Sequence, residues 1–577
     1  MSDAIAHRGP DGEGLLVRGG ATLGHRRLSI VDLAGGAQPM STPCGRWAVA
    51  FNGEIFNHAV LRPPLERLGA RFTTSSDTET LLSAFAHWGE TTSSRFNGMF
   101  AWAGWDNEQQ RGVLVRDRTG QKPLYWTQLS DGGIAFCSEL KGLLASGLVE
   151  RRIDIVAIAQ YLTYEYVPWP RSAIAGVHKL PPGHLLRWSD GTVRVERWYD
   201  LPFTDAPELP GRSGAEWADE VRDTLARSVE RRLMADVPLG VFLSGGIDST
   251  SVVAMMARVR DPSQIDTFSI AFDDPSYDES GWARRAAREI GTRHHEEVFT
   301  AERMLEHLPS VLGSMDEPFA DASLLPTSLL SAFTRQHVTV ALGGDGGDEL
   351  FLGYETFRAD TAARLWRAAP RPLHELAEGV ASRLPVRHGN FSFDFVVRSF
   401  LRGADAADAF RHIRWLASFL PNTDEDPLRP ELRALVPDAD VYGVMATPYL
   451  ECPDPDHLQR LSRAYLHAYL AEDILTKVDR ASMASGLEVR SPFLDPEMLS
   501  LAARMPSRYK LRYGWTGKWV LREAMRGQIP DWVLDRSKKG FGIPVGAWLN
   551  GPLAPLVDSL LSDAALASTG VVRSSVV

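Results

Sequence analysis

The strongest constraint on this chain is a change of hydrophobic period across residues 200–214. That stretch, DLPFTDAPELPGRSG, carries three prolines and no apolar repeat, so it reads as a connector between two folding units. Before it, short β-type runs dominate: GRWAVAFNG (45–53), MFAWAGWD (99–106), RGVLVRD (111–117) and GGIAFCSE (132–139), most bounded by Gly, Asn or Asp. Helical stretches at 77–88 and 153–161 interrupt them. After it, Trp217, Val221, Leu225, Val229 and Leu233 fall four apart, an amphipathic helix. Strands PLGVFL (238–243), DTFSIAF (266–272) and HVTVALGG (337–344) then alternate with helices at 248–260 and 279–290, which predicts a parallel sheet. Beyond about Asp360 the pattern is mostly helical. The expectation is an α+β domain over 1–199, a linker over 200–215 and an α/β domain over 216–577; 577 residues exceed one core.

Charge and composition exclude several classes of function. With 73 Asp and Glu against 62 Lys and Arg, no broad basic field exists to hold a phosphate backbone, so no nucleic-acid partner is expected. No run approaches the ~18 apolar residues of a membrane span, and the start MSDAIAHRGPDGEG lacks a basic segment followed by an apolar one. Three cysteines, Cys44, Cys137 and Cys452, are too few for a disulfide scaffold or a zinc cluster, and a reducing cytoplasm is the expected setting. Only 8 lysines stand against 54 arginines, yet Lys510, Lys518, Lys538 and Lys539 gather near the C-terminal end, with Lys477 upstream. A lysine is a compact point charge suited to phosphate oxygens.

Chemistry concentrates on two glycine loops. In VFLSGGIDSTS (241–251) a strand ends, Gly245 and Gly246 follow Ser244, and a helix begins near Asp248. Backbone N–H groups at such a helix start favour an anion, while Ser244, Ser249 and Thr250 offer hydroxyls. Asp248 repels a bare phosphate, which argues for magnesium bridging it to pyrophosphate oxygens. The bland alternative, a glycine turn with an Asp cap, does not require the full strand–SGGxDS–helix order. The second loop, LGGDGGDELFLGY (342–354), sets Asp345, Asp348 and Glu349 together, a repulsive arrangement unless cations offset it. LTKVDRASMASGLEVRSPFLD (475–495) suggests a helix facing a polar cleft, and RSKKGFGIPVGAW (536–548) offers paired lysines to a departing pyrophosphate. No Walker-type G-x-x-x-x-G-K-[ST] loop is present.

The first loop resembles the PP-loop of ATP pyrophosphatases, and the segments together resemble the glutamine-dependent asparagine synthetase family over nearly the whole chain. HRGPDGEG (7–14), HRRLSIVD (25–32), FNGEIFNH (51–58), SSDTET (75–80), FNGMFAW (96–102) and RDRTGQKPLYW (116–126) resemble that family's Ntn-type glutaminase sandwich. The resemblance implies that Arg27, Asn52, Gly53, Glu54 and Asp77 hold glutamine. Arg27 suits the α-carboxylate, and Glu54 and Asp77 suit the α-ammonium. Asn52 and the Gly53 N–H suit an oxyanion. In the synthetase half it implies an ATP site of Phe242, Ser244, Gly245, Gly246, Asp248, Ser249, Ile270, Gly343 and Gly344. It further implies catalytic roles for Asp345 and Lys538, with magnesium at Asp248 and Asp348. Many family members have Glu where this chain has Asp345.

The implied activity is ATP-dependent amidation of aspartate through a β-aspartyl-AMP, with ammonia from glutamine. The partners would be these small molecules and at most a second copy of the chain. The family's glutaminase nucleophile is a cysteine a few tens of residues before HRGPD, whereas six residues, none of them cysteine, precede His7. The expectation is therefore a truncated or mis-started chain, or an enzyme dependent on free ammonia. Ser2 is expected to lie too close to His7 to reach the nucleophile's place, and Cys44 and Cys137 are expected in the core. Two rivals stand beside this reading: an adenylating amidotransferase or lactam-forming cyclase of secondary metabolism, and a non-catalytic ATP-binding protein.

Overall fold

The computed structural model describes residues 1–204, 211–273, 277–381, 393–536, 542–543 and 545–576. The first part is built on a six-stranded antiparallel sheet. Its strands are β3 (Met40–Ser41), β4 (Trp47–Ile55), β5 (Gly98–Asp106), β6 (Arg111–Arg116), β10 (His184–Ser189) and β11 (Thr192–Arg197), in the order β11-β10-β6-β5-β4-β3. A hairpin of β1 (Gly12–Arg18) and β2 (Ala21–Arg27) forms a separate two-stranded sheet. A three-stranded sheet of β7 (Tyr125–Gln128), β8 (Ile134–Cys137) and β9 (His178–Lys179) completes the set.

Alternation along β4 decides the layering. Val49 and Phe51 face the helices His58–Arg67 and Asp77–Trp88 through Leu65, Leu81 and Phe85, while Ala48 and Ala50 face Leu124 and Leu180 on the opposite side. All nine residues of β5 are buried, as a strand covered on both faces requires. The helix Asp77–Trp88 starts where Ser76 accepts from the Thr78 N–H at 3.2 Å and stops at Gly89, φ 61°.

The second part carries a five-stranded parallel sheet in the order β14-β13-β12-β15-β16. These are β12 (Leu239–Phe242), β13 (Asp266–Phe272), β14 (Arg293–Phe299), β15 (Val340–Leu342) and β16 (Glu488–Arg490). The helix Gly214–Arg231, opened by a Ser213–Glu216 capping box, covers it. Strand order reverses between β12 and β15, so the two glycine loops leave neighbouring strand ends at the place where parallel sheets hold ligands.

Several boundaries differ from the sequence expectation. The helices expected at 153–161, 217–233 and 248–260 span Ile155–Tyr164, Gly214–Arg231 and Ile247–Ala257. β16 lay unread inside the 475–495 segment. Its three residues have no apolar period, and its Glu and Arg are buried because they pair with each other at 2.8 Å. Cys137 is buried as expected, but Cys44 is exposed, because it sits in the turn before β4 rather than on a strand face.

The helix Leu475–Met483 joins the two parts. Its Asp479 receives Arg8 in a two-pronged ion pair of 2.7 and 2.9 Å, and its Arg480 reaches Glu139 at 2.8 Å. Just before it, Glu472 takes Arg116 at 3.2 Å and Lys179 at 3.1 Å. All seven of these residues are buried.

Candidate active sites

The residues assigned to glutamine converge on one cavity of 610 Å³, with Arg27, Asn52, Gly53, Glu54 and Asp77 in its wall. Arg27 ends β2, and its guanidinium donates to the carbonyl oxygens of Val31, Asp32 and Leu33 at 3.2, 2.7 and 2.9 Å, which fixes its direction. Asn52 Nδ2 is buried with no hydrogen-bond partner among the described residues, a donor left for a ligand. Gly53 holds φ 137°, and a Cβ there would lie 2.0 Å from the Met99 carbonyl oxygen.

Burial and the neighbouring Asp77 hold the Glu54 carboxyl well above its ordinary range. Burial likewise pushes Asp77 up to about 6, although its Oδ2 accepts from the Ile55 N–H at 3.0 Å. Arg490 of β16 stands 3.4 Å from Glu54. The pair of acids is thus one cation short, and an α-ammonium would complete it. Met1 and Ser2 also line this cavity, because the first turn folds back against β2.

The second cavity, 620 Å³, lies over the parallel sheet. Phe242, Ser244, Gly246, Asp248, Ser249, Ile270, Gly343, Gly344, Asp345 and Asp348 all line it. Gly245 sits behind the wall at φ 70°, where a Cβ would meet the Trp282 backbone at 2.6 Å. The Ser244 N–H donates to Ser249 Oγ at 3.2 Å, closing the loop over the start of the helix Ile247–Ala257. Burial pushes the Asp345 carboxyl up while Lys477 draws it back. Lys538 lies outside the described residues.

The cation that the structure does place is Lys518, which sequence reasoning counted but did not single out. Its Nζ donates to Asp248 at 2.5 Å and to Asp348 at 2.7 Å. Burial alone would lower its pKa, but the two carboxylates outweigh burial and raise it. Its backbone is left-handed, φ 54°, and a Cβ on neighbouring Gly353 would come within 2.1 Å of its Cε. The legible signal was GK opening a helix, Trp519–Met525. Asp248 and Asp348 converge on a cation, which suits magnesium held by one or two carboxylates plus phosphate oxygens. Among the described residues no group of three or more His, Cys, Asp or Glu could enclose a metal.

Two small voids of 10 Å³ each lie where the first part meets the helix Leu475–Met483. One is bounded by Leu124, Tyr125, Asp479 and Arg480, and the next by Tyr125, Phe319, Thr476 and Arg480.

A profile described as asparagine synthase matches residues 220–577, and one described as glutamine amidotransferase domain matches residues 1–199. The chain belongs to the asparagine synthase family. Asparagine synthetase (glutamine-hydrolyzing) 1 of Bacillus subtilis (strain 168) is 33% identical to it over 98% of this chain and 86% of its own length. A putative asparagine synthetase (glutamine-hydrolyzing) of Mycobacterium bovis is 35% identical, covering 95% and 84%. A protein named Amidase chyE of Penicillium rubens is 29% identical, covering 99% and 88%. In this asparagine synthase family member no described helix is long and apolar enough to cross a membrane.

Proposed function

We infer that this chain is an ATP-dependent carbon–nitrogen ligase of the asparagine synthetase type, converting aspartate to asparagine with glutamine as the amido donor. The observation that carries this reading is the pairing, in one chain, of a cavity walled by Arg27, Asn52, Glu54 and Asp77 with one walled by the two glycine loops, both touching the helix Leu475–Met483. A side-chain carboxylate oxygen of aspartate attacks the α-phosphorus of ATP, and the bond to pyrophosphate breaks. Lys518 neutralises the departing group. Magnesium, held by Asp248 and Asp348, would supply further charge to the phosphates. Ammonia then adds to the acyl carbon, AMP leaves, and Asp345 is placed to accept the proton. The small voids at the interface support an ammonia route that excludes water, which would hydrolyse the acyl-adenylate. Three unpaired cysteines support a cytoplasmic setting.

In the glutamine cavity, Arg27 would take the α-carboxylate, Glu54 and Asp77 the α-ammonium, and Asn52 with the Gly53 N–H the oxyanion. Cys137 lines this cavity, but burial pushes its thiol up, away from the nucleophilic thiolate. The decisive assay therefore offers ammonium salts: ATP, magnesium, aspartate and ammonium should yield pyrophosphate and asparagine in equal amounts. Absence of both products would sink the reading.

Glutamine binding should also depend on pH. Asp77 titrates near 6, and once protonated it no longer pairs with an ammonium. Calorimetry should show binding weakening as pH falls from 7 through 6; a flat profile would remove Asp77 from ammonium recognition.

A further inference from the structure

Away from the nucleotide loops, the synthetase cavity ends in a cluster whose chemistry the phosphates do not require. Lys477 gives its ammonium to Asp321 at 2.6 Å. Behind them stands Asp473, 6% exposed, whose carboxyl hydrogen-bonds to that of Asp321 and whose Oδ1 has no partner among the described residues. Asp345 acts on the same lysine from the glycine loop. Three carboxyl groups therefore surround one ammonium, and the cluster is short of positive charge. Burial and the adjacent Asp321 hold Asp473 well above the ordinary carboxylate range, so a proton fills the missing place. Asp321, Lys477 and Asp345 all line the cavity.

An acid and a base side by side on a cavity wall complement a zwitterion. An ammonium reaching Asp321 replaces the proton that Asp321 shares with Asp473, and a carboxylate reaching Lys477 relieves that lysine of its internal partner. A plain dicarboxylate would bring its far charge against acids, and a blocked amine would leave the cluster as short of cations as before. The Asp321 carboxylate also accepts from the Ser323 N–H at 2.8 Å and from its hydroxyl at 2.7 Å, which fixes its position at the start of the helix Leu324–Arg335.

We propose that Asp321, backed by Asp473, takes the α-ammonium of the acyl substrate while Lys477 takes its α-carboxylate, so that the substrate is a free α-amino acid presenting a side-chain carboxylate beside Asp345. This rests on the adenylation reading above and adds the wall that selects the acid. It also separates aspartate from the acyl-blocked or amine-free acids that an enzyme of secondary metabolism would take.

The test measures pyrophosphate release at saturating ATP and magnesium with aspartate, succinate and N-acetylaspartate, in the wild type, Asp321→Asn and Asp473→Asn. Wild type is expected to use aspartate and refuse the other two. Asp321→Asn keeps an oxygen for Ser323 but should raise the KM for aspartate about thirtyfold and narrow its preference over succinate. Its KM for ATP should stay within about twofold, which shows an intact fold. Asp473→Asn should move the same two quantities in the same direction by less. An unchanged aspartate KM in Asp321→Asn, or a wild type that uses succinate as well as aspartate, would overturn the proposal alone. No turnover of any acid by the wild type would overturn the adenylation reading and this proposal together.

Discussion

Replacing Lys518 by methionine should cut the rate of pyrophosphate release by about 10²–10³-fold at saturating substrates, the usual effect of removing one preorganised charge from a developing anion. The ammonium lies between Asp248 and Asp348, one from each glycine loop, so it neutralises the loops and lines the cavity proposed to hold the phosphates. Without it the carboxylates of those loops repel each other and any phosphate between them. The loss should therefore fall on kcat more than on the KM for aspartate, and raised magnesium should restore part of the binding of ATP. Arginine should not substitute, because a Cβ on Gly353 would already lie 2.1 Å from the Lys518 Cε and the space has no room for a planar fork. A coupled pyrophosphate assay checks this; an unchanged kcat would reduce Lys518 to a brace between two loops.

Arg8→Met should destabilise the docking of the two parts by about 3–5 kcal/mol, the range for stranding a buried charge. Arg8 holds Asp479 with two nitrogens and Glu139 with one, and all three side chains are buried. Urea titration followed by tryptophan fluorescence reads the shift in midpoint, and a change below about 1 kcal/mol would show that Lys122 and Arg480 take over. The same pairs set the acid limit. Burial works to raise the Asp479 and Glu139 carboxyls, but the surrounding cations outweigh it and hold both below their ordinary values. A carboxyl with a lowered folded pKa gives stability that is complete above its unfolded pKa of ~4 and fades as pH falls through the folded value. Wild type should therefore stay docked from neutrality to about pH 4, and the variant should open at higher pH. Buried ion pairs are poor stabilisers compared with apolar packing; here each connects a fixed pair of residues and so sets the register of one cavity against the other.

What was legible in the sequence had a local cause. SGGIDS lies between an apolar strand and a helix, and the structure puts its loop over the sheet edge because a parallel strand leads nowhere else. The period change across 200–214 separated an antiparallel sandwich from a parallel sheet for the same reason: side-chain alternation is set within each strand. Arg27, Asn52, Gly53, Glu54 and Asp77 were readable as a group only through their resemblance to a family, since they come from three segments that share no period.

By itself the sequence determined the two fold classes, the family and the residues of both glycine loops. Only the tertiary structure showed that Lys518 bridges Asp248 and Asp348, one from each of those loops. The left-handed turn at Lys518 and the close approach of its Cε to Gly353 bring its ammonium there. It also decided that β16, three residues of which two are charged, is a sheet strand, and that Asp321, Asp473 and Lys477 form one cluster. The reason is physical. Periodicity records which face of an element is buried, whereas the partner that lets a charge be buried lies far away along the chain, 156 residues for Lys477 and Asp321.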